Sequence, residues 1–381
     1  MTRAIVVGAG IGGLATAIAM RPTDVEVVAF ERAPDLARVE VGAGITLWPN
    51  AMLVLDRLGV GDEVRARGAV LDGFEQRTRS GRLLARWPLA EMTRRLGAPV
   101  VGINRPDMHA ALAAAGSYCV QTASRVTGFD DGEAGVSVTL SDGRVESGDA
   151  LIGADGIDSL VRSRLLGGEP PRHAGLTMWR ANVALEEAAM PAVGFLLYWG
   201  AGAKFVCFRS GPGRLSWEAI VASDPGGHDA PGESKRTVLD HFARFTDPVR
   251  PIIEATDEAA IFRTDVFDRP PDKRWGSGRV TLLGDAAHPM TFAVGQGAAQ
   301  ALEDALAIAE ALDRVTDVEG ALRGYERQRM GRSAHFQTFA WRLARAGAWR
   351  SPPAWGLRNA VLRLSVPLAW RLQVKDMTLP A

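Results

Sequence analysis

The sequence predicts an α/β protein: a Rossmann-like part, an antiparallel-sheet part interleaved with it, and a helical C-terminal region. Three observations predict this. Short apolar runs lead into glycine-rich turns near residues 4–13, 150–156 and 279–285, as buried parallel strands do. Four strand-like runs with turn residues between them fill 175–222, which suits an antiparallel sheet. Beyond Arg327 the chain turns basic, with tryptophans set among its arginines.

Composition narrows the class further. The chain has 381 residues, 47% hydrophobic and 23% charged, within the range of folded globular proteins. Its 44 basic and 44 acidic side chains balance, which argues against a general nucleic-acid binder. The two cysteines, Cys119 and Cys207, form neither a disulfide framework nor a zinc spacing, so no metal site is expected. The apolar stretch 4–20 carries four glycines and reads as strand, turn and helix rather than as a signal peptide. A cytoplasmic protein is expected.

In chain order, 4–7 is a strand, 14–20 an alanine-rich helix and 25–30 a second strand, together a β-α-β unit. Residues 50–58 read as helix up to Gly59. Residues 74–87 alternate around Ser80-Gly81 as a hairpin, and 105–115 are helical. Residues 136–140 and 145–147 flank Ser141-Asp142-Gly143 as a second hairpin, and 150–152 is a strand. The four runs of the antiparallel part are 176–185, 195–199, 204–209 and 214–221; a helix follows at 234–245. Residues 279–283 return to a buried strand, and a long helix spans 297–312.

Gly8-x-Gly10-x-x-Gly13, with Gly12 beside it, lies between a strand and a helix. This is the arrangement in which backbone approaches a pyrophosphate at a helix N-terminus. Glu31, followed by Arg32, ends the second strand, where a carboxylate accepts hydrogen bonds from a ribose diol. An acid at that position disfavours a 2′-phosphate and leaves FAD or NAD.

Further motifs choose between these two. They are Gly153-Ala154-Asp155-Gly156-Ile157-Asp158-Ser159-Leu160-Val161-Arg162, then Gly284-Asp285-Ala286-Ala287-His288-Pro289, then Gly295-Gln296-Gly297 and Glu303-Asp304. With Gly42-Ala43-Gly44-Ile45, Pro49-Asn50-Ala51 and the helix starting at Arg105, the chain resembles the flavin monooxygenases of the para-hydroxybenzoate hydroxylase type, from residue 4 to about 330.

The resemblance implies an FAD-binding domain from residues 1–70, 98–172 and 275–330, a substrate-binding β-sheet domain from 71–97 and 173–274, and a helical basic region at 331–381. It implies FAD contacts at Asp285 (ribityl hydroxyls), Asp155 (near the pyrophosphate), Gly44, Arg105 and Val126 (adenine end). The turn Gly295, Gln296, Gly297, Ala298 would face the flavin with backbone N–H groups, where helix-terminal positive charge stabilises the anion of reduced flavin. His288 reads as structural.

The resemblance also implies that NADH or NADPH binds transiently and reduces the flavin. Oxygen then gives a flavin C4a-hydroperoxide that hydroxylates an electron-rich aromatic or heteroaromatic molecule. Alkene epoxidation, a reductase without oxygen incorporation, and a flavin-bearing protein that shelters an intermediate remain alternatives. Two departures matter: Phe292 stands where the family usually has proline, and Ala299 where it often has asparagine.

By position and type, the residues expected to line a substrate slot between flavin and sheet are Trp48, Trp179, Arg180, Tyr198, Phe208, Trp217 and Phe292. Arg209 is a second cation for an anionic group. Ten basic and no acidic residues lie between Arg327 and Lys375, with Trp341, Trp349, Trp355 and Trp370 among them or close by. The preferred reading packs these tryptophans on an acidic body. The alternative is a basic amphipathic element at a membrane surface.

Overall fold

The computed structural model describes residues 1–39 and 42–379; Pro380 and Ala381, the end of the expected tail, lie outside the described residues. Five parallel strands pair in the order β18-β12-β1-β2-β8: β1 is Thr2–Val7, β2 Val25–Phe30, β8 Val120–Gln121, β12 Ala150–Gly153 and β18 Val280–Leu282. The inner strands are short and mostly apolar because both faces are covered, while β8 at the edge is half-buried. The core around them takes in Ala17, Val136, Val138, Ile308 and Tyr325.

Two three-stranded antiparallel sheets flank this one. β9 (Val126–Gly132), β10 (Gly135–Leu140) and β11 (Val145–Gly148) form the first. The second contains β3 (Gly44–Leu47), β4 (Ala69–Leu71) and β7 (Val100–Asn104), a pairing too short to stand out in the sequence.

Seven strands form the large sheet, in the order β17-β13-β16-β15-β14-β5-β6. These are β5 (Phe74–Thr78), β6 (Leu83–Trp87), β13 (Arg172–Ala184), β14 (Phe195–Trp199), β15 (Ala203–Gly211), β16 (Arg214–Ala222) and β17 (Phe262–Asp268). The hairpin β5–β6 joins it through a parallel pairing of β5 with β14, so the sheet is antiparallel with one parallel seam.

The helices are α1 (Ile11–Met20), α2 (Pro49–Arg57), α3 (Gly61–Arg67), α4 (Leu89–Leu96), α5 (Arg105–Gly116), α6 (Leu160–Leu166), α7 (Ser234–Phe242), α8 (Val249–Ala255), α9 (Gly297–Leu312), α10 (Val318–Gly347) and α11 (Pro352–Asp376). Helices α7 and α8 cover one face of the large sheet with Val238, Phe242, Val249, Ile252 and Ile253. The other face looks toward the nucleotide-type half. Helix α10 runs 30 residues, so one rod carries Tyr325 in the first core and Ala344 beside the large sheet.

Candidate active site

At the first turn, Gly8 has φ +101°, and a Cβ on Gly13 would stand 2.0 Å from the Gly8 carbonyl oxygen. Only glycines allow this strand and helix to close so tightly, which leaves backbone alone facing the space in front of α1. Glu31 is buried, and its carboxylate accepts from Ala9 N at 2.9 Å and Ala33 N at 2.8 Å. It therefore braces the glycine turn, and a carboxylate has lone pairs left for a ribose hydroxyl.

A second clamp joins the two remaining motifs. Arg162, buried at the start of α6, donates to the carbonyls of Ala286 and Ala287, each at 3.2 Å. Asp155 accepts from Ser159 Oγ and from Leu160 N at 2.7 Å, so its side chain caps α6. Burial pushes its carboxyl up. Ala154 and Gly156 on either side of it, not Asp155 itself, line the cavity.

That cavity has a volume of about 1030 Å³ and runs from the Gly10–Gly12 turn past Asp285 to the near face of the large sheet. Asp285 sits just beyond β18, exposed to this space. Gly295 takes φ +62°, where a side chain would collide with Trp48 Nε1 at 2.8 Å. Gly297 and Ala298 then open α9, so the positive end of that helix points into the cavity.

Of the residues expected to bind FAD, Gly10, Gly12, Gly44, Arg105, Asp285, Gly295, Gly297 and Ala298 line this one cavity. Gly8 and Gly13 form the turn behind it. Gln296 points away: it is buried, and Asn50 Nδ2 donates to its Oε1 at 3.0 Å. Val126 belongs to the core at the start of β9, and Arg32 is exposed at the surface beside Glu31.

The sheet side needs a correction. Trp48, Arg180, Phe208 and Phe292 line the cavity, but Trp179, Tyr198 and Trp217 lie on the opposite face, packed against α7 and α8. Side chains alternate along a strand, so Trp179 and Arg180 as neighbours cannot both face one side. The register carries this parity across the sheet: Arg180 pairs with Glu218, and Glu218 with Val206. Trp217 donates to Thr256 Oγ1 at 2.9 Å on the far side, and burial there pushes the Tyr198 phenol to about 12. Arg209 is also turned away, paired with Glu187 at 2.6 Å.

The same parity brings in residues that composition did not single out. Phe74, Trp87, Phe195 and Trp199 complete an aromatic wall. Set into it are Lys204 of β15 and Glu218 of β16. Lys204 is 3% exposed, with its ammonium 5.1 Å from the Phe292 ring centre and 5.4 Å from that of Trp199. Gly347, the last residue of α10, leaves room for its chain. Burial brings the Lys204 ammonium down to about 8, against the opposing pull of Glu218. Burial pushes the Glu218 carboxyl up, with Arg180, Lys204 and Arg105 drawing it back. The signal in the sequence was Lys204 itself, one of four lysines beside forty arginines, inside an apolar strand.

The tail packs two of its tryptophans. Arg172 stacks on Trp341 at 3.5 Å, and Trp370 meets Trp87 edge-on at 6.1 Å. Trp349 stays exposed. Ala299, the second departure, is buried in the core between α1, α2 and α9.

Comparison with known proteins agrees with this geometry. The family model described as an FAD binding domain matches residues 1–340. The chain is 36% identical over 361 residues to the aurachin C monooxygenase/isomerase of Stigmatella aurantiaca, covering 94% of this chain and 93% of that one. It is 33% identical over 333 residues to the FAD-dependent urate hydroxylase of Klebsiella pneumoniae, covering 87% and 86%. The solved structure of Klebsiella pneumoniae HpxO with FAD and uric acid superimposes with a TM-score of 0.92 at 29% identity, over 99% of this chain and 96% of that one.

The glycine cradle, the acceptor at Asp285 and the helix end at Gly297 fit a bound FAD. Asp285→Ala is expected to weaken FAD binding by ten- to a hundredfold, since a hydrogen bond to a charged group contributes about 1.5–3 kcal/mol. The check is flavin absorbance per chain after dialysis; full retention would remove Asp285 from the cofactor site. With a cradle of this shape and a family match over most of its length, the chain belongs to the FAD-dependent monooxygenases of the para-hydroxybenzoate hydroxylase type.

Proposed function

We propose that this enzyme hydroxylates an electron-rich aromatic or heteroaromatic small molecule held between the flavin end of the cavity and the near face of the large sheet. One observation carries the reading: an aromatic-walled space meets the cofactor cradle and has the buried ammonium of Lys204 and the half-buried carboxyl of Glu218 in the same wall. That one relative is a urate hydroxylase supports a heteroaromatic ring as substrate.

FAD held by the glycine turns, Asp285 and the start of α9 would supply the redox and oxygen-activating chemistry, with NAD(P)H as electron donor; the chain's own residues do the rest. Phe74, Trp87, Phe195 and Phe208 surround a flat ring and keep water from it. Lys204 holds an oxygen of the ring as an anion, which raises the electron density that an electrophilic oxygen attacks. Glu218, whose burial favours the protonated form, exchanges a proton with a substituent of the ring on the same side of the cavity. Phe292 lines the cavity beside Lys204, its ring centre 5.1 Å from the ammonium.

The test is oxidation of NADH and of NADPH in air, with and without phenols, indoles, quinolones and isoprenoids, followed by product analysis under ¹⁸O₂. Strong stimulation by one class, with one ¹⁸O in the product, is expected. FAD-loaded protein that no ligand stimulates would instead favour the sheltering role.

A further inference from the structure

Helix α11 is apolar on both sides. Its inner side packs Val366, Ala369, Trp370 and Val374 against the large-sheet core. Its outer side carries Leu357, Val361, Leu364, Leu368 and Leu372, which are 61%, 54%, 81%, 62% and 53% exposed. Their spacing of four, three, four and four residues puts them in one stripe, about 22 Å long at 1.5 Å per residue. A stripe of this kind meets an apolar partner outside the chain.

Charge selects among partners. Arg363, Arg371 and Lys375 are exposed on the same helix, Arg342 and Arg345 on α10, and Trp349 is exposed in the connection between them. No Asp or Glu lies between Arg327 and Lys375. Two copies meeting stripe to stripe would bring these cations against one another. Among the described residues no helix is long and apolar enough to cross a membrane. A bilayer surface with anionic headgroups satisfies both features: leucines enter the acyl boundary while arginines and lysine meet phosphates.

The stripe is also continuous with the active-site cavity. Val361, Leu368 and Leu372 line its outer end with Phe339 and Leu343 of α10, and the lining continues inward to Trp87 and Phe195. We infer that the outer face of α11 docks the enzyme on anionic lipid bilayers and sets the cavity mouth at the membrane surface. A lipophilic substrate then reaches the flavin without crossing water. Docking is read without turnover, so its failure and that of the hydroxylase reading are separable.

The experiment is co-sedimentation of the FAD-loaded full chain with vesicles of phosphatidylcholine alone, or of phosphatidylcholine mixed with phosphatidylglycerol. Binding to the mixed vesicles, weakened by salt, is expected. Leu357→Glu/Leu364→Glu lies outside the cavity lining and should lose at least tenfold in vesicle affinity with flavin content unchanged. Arg371→Gln/Lys375→Gln, both flanking the stripe, should lose about tenfold or more, on the basis of about 1 kcal/mol per basic residue near the surface. The proposal is overturned if the wild type binds neither vesicle, or if the leucine variant binds as the wild type does. It is equally overturned if ultracentrifugation shows a lipid-free dimer that the leucine variant dissolves, which would make a second copy the partner.

Discussion

Arg329→Ala should cost about 3–5 kcal/mol of stability, the usual penalty for removing one partner of a buried ion pair. Arg329 is 1% exposed; its Nε donates to Asp304 Oδ1 at 2.7 Å, and its Nη1 to Glu303 Oε2 at 2.6 Å. Without it both carboxylates stay buried with one cation fewer. Asp304 also accepts from His288 Nε2 at 2.6 Å and from Gly284 N at 3.1 Å, so this network fixes the backbone next to Asp285.

Burial alone would raise the Asp304 carboxyl, but His288 and Arg329 bring it to about 2, below the ordinary 3.8. A depressed folded-state value stabilises the protein above the unfolded value. That contribution is complete above about pH 4 and disappears as pH falls toward 2. Urea midpoints across this window should therefore fall with acid in the wild type and less steeply in Asp304→Asn. For Arg329→Ala the unfolding free energy from urea titration at neutral pH decides, and one within about 1 kcal/mol of the wild type would show the network to be dispensable.

The second large effect concerns activity. Lys204→Met should lower kcat/KM about a hundredfold, the usual cost of removing one donor to a developing oxyanion, with FAD content unchanged. The Lys204 ammonium titrates near 8, so activity that needs the cation should fall as pH rises through that value. In Lys204→Met this alkaline limb should vanish. Lys204→Arg keeps a charge and should flatten the limb while restoring part of the rate. A variant with normal kcat/KM and the same limb would remove Lys204 from substrate binding.

Legibility differed by type of feature. The strands ending in Gly8, Gly153 and Gly284 could be read because each motif dictates its own backbone: a buried strand, a turn that tolerates no side chain, and a helix start. Helix α9 was read to the residue, since an alanine-rich run after Gly297 leaves little choice. The strands 44–47, 69–71 and 100–104 were not read. Their pairing joins segments far apart in the chain, and each alone is too short to show alternation.

Site residues separated along the same line. The glycines and Asp285 belong to turns whose geometry is local. Trp179, Tyr198 and Trp217 were expected in the slot because aromatic residues suit a flat substrate, yet chemistry does not state which face of a sheet a residue occupies. That is set by register, and by which side α7 and α8 cover. Lys204 and Glu218 share one wall of the cavity only because β15 and β16 pair as they do. Arg329 finds Glu303 and Asp304 only because α10 lies along α9.

The sequence by itself determined the cofactor cradle and the alternation of strands, because both follow from backbone conformations that neighbouring residues impose. Only the tertiary structure decided which side of the large sheet faces the flavin, which charges are buried together and which stripe of α11 stays exposed. These depend on long-range packing, where one residue of register moves a side chain from cavity to core.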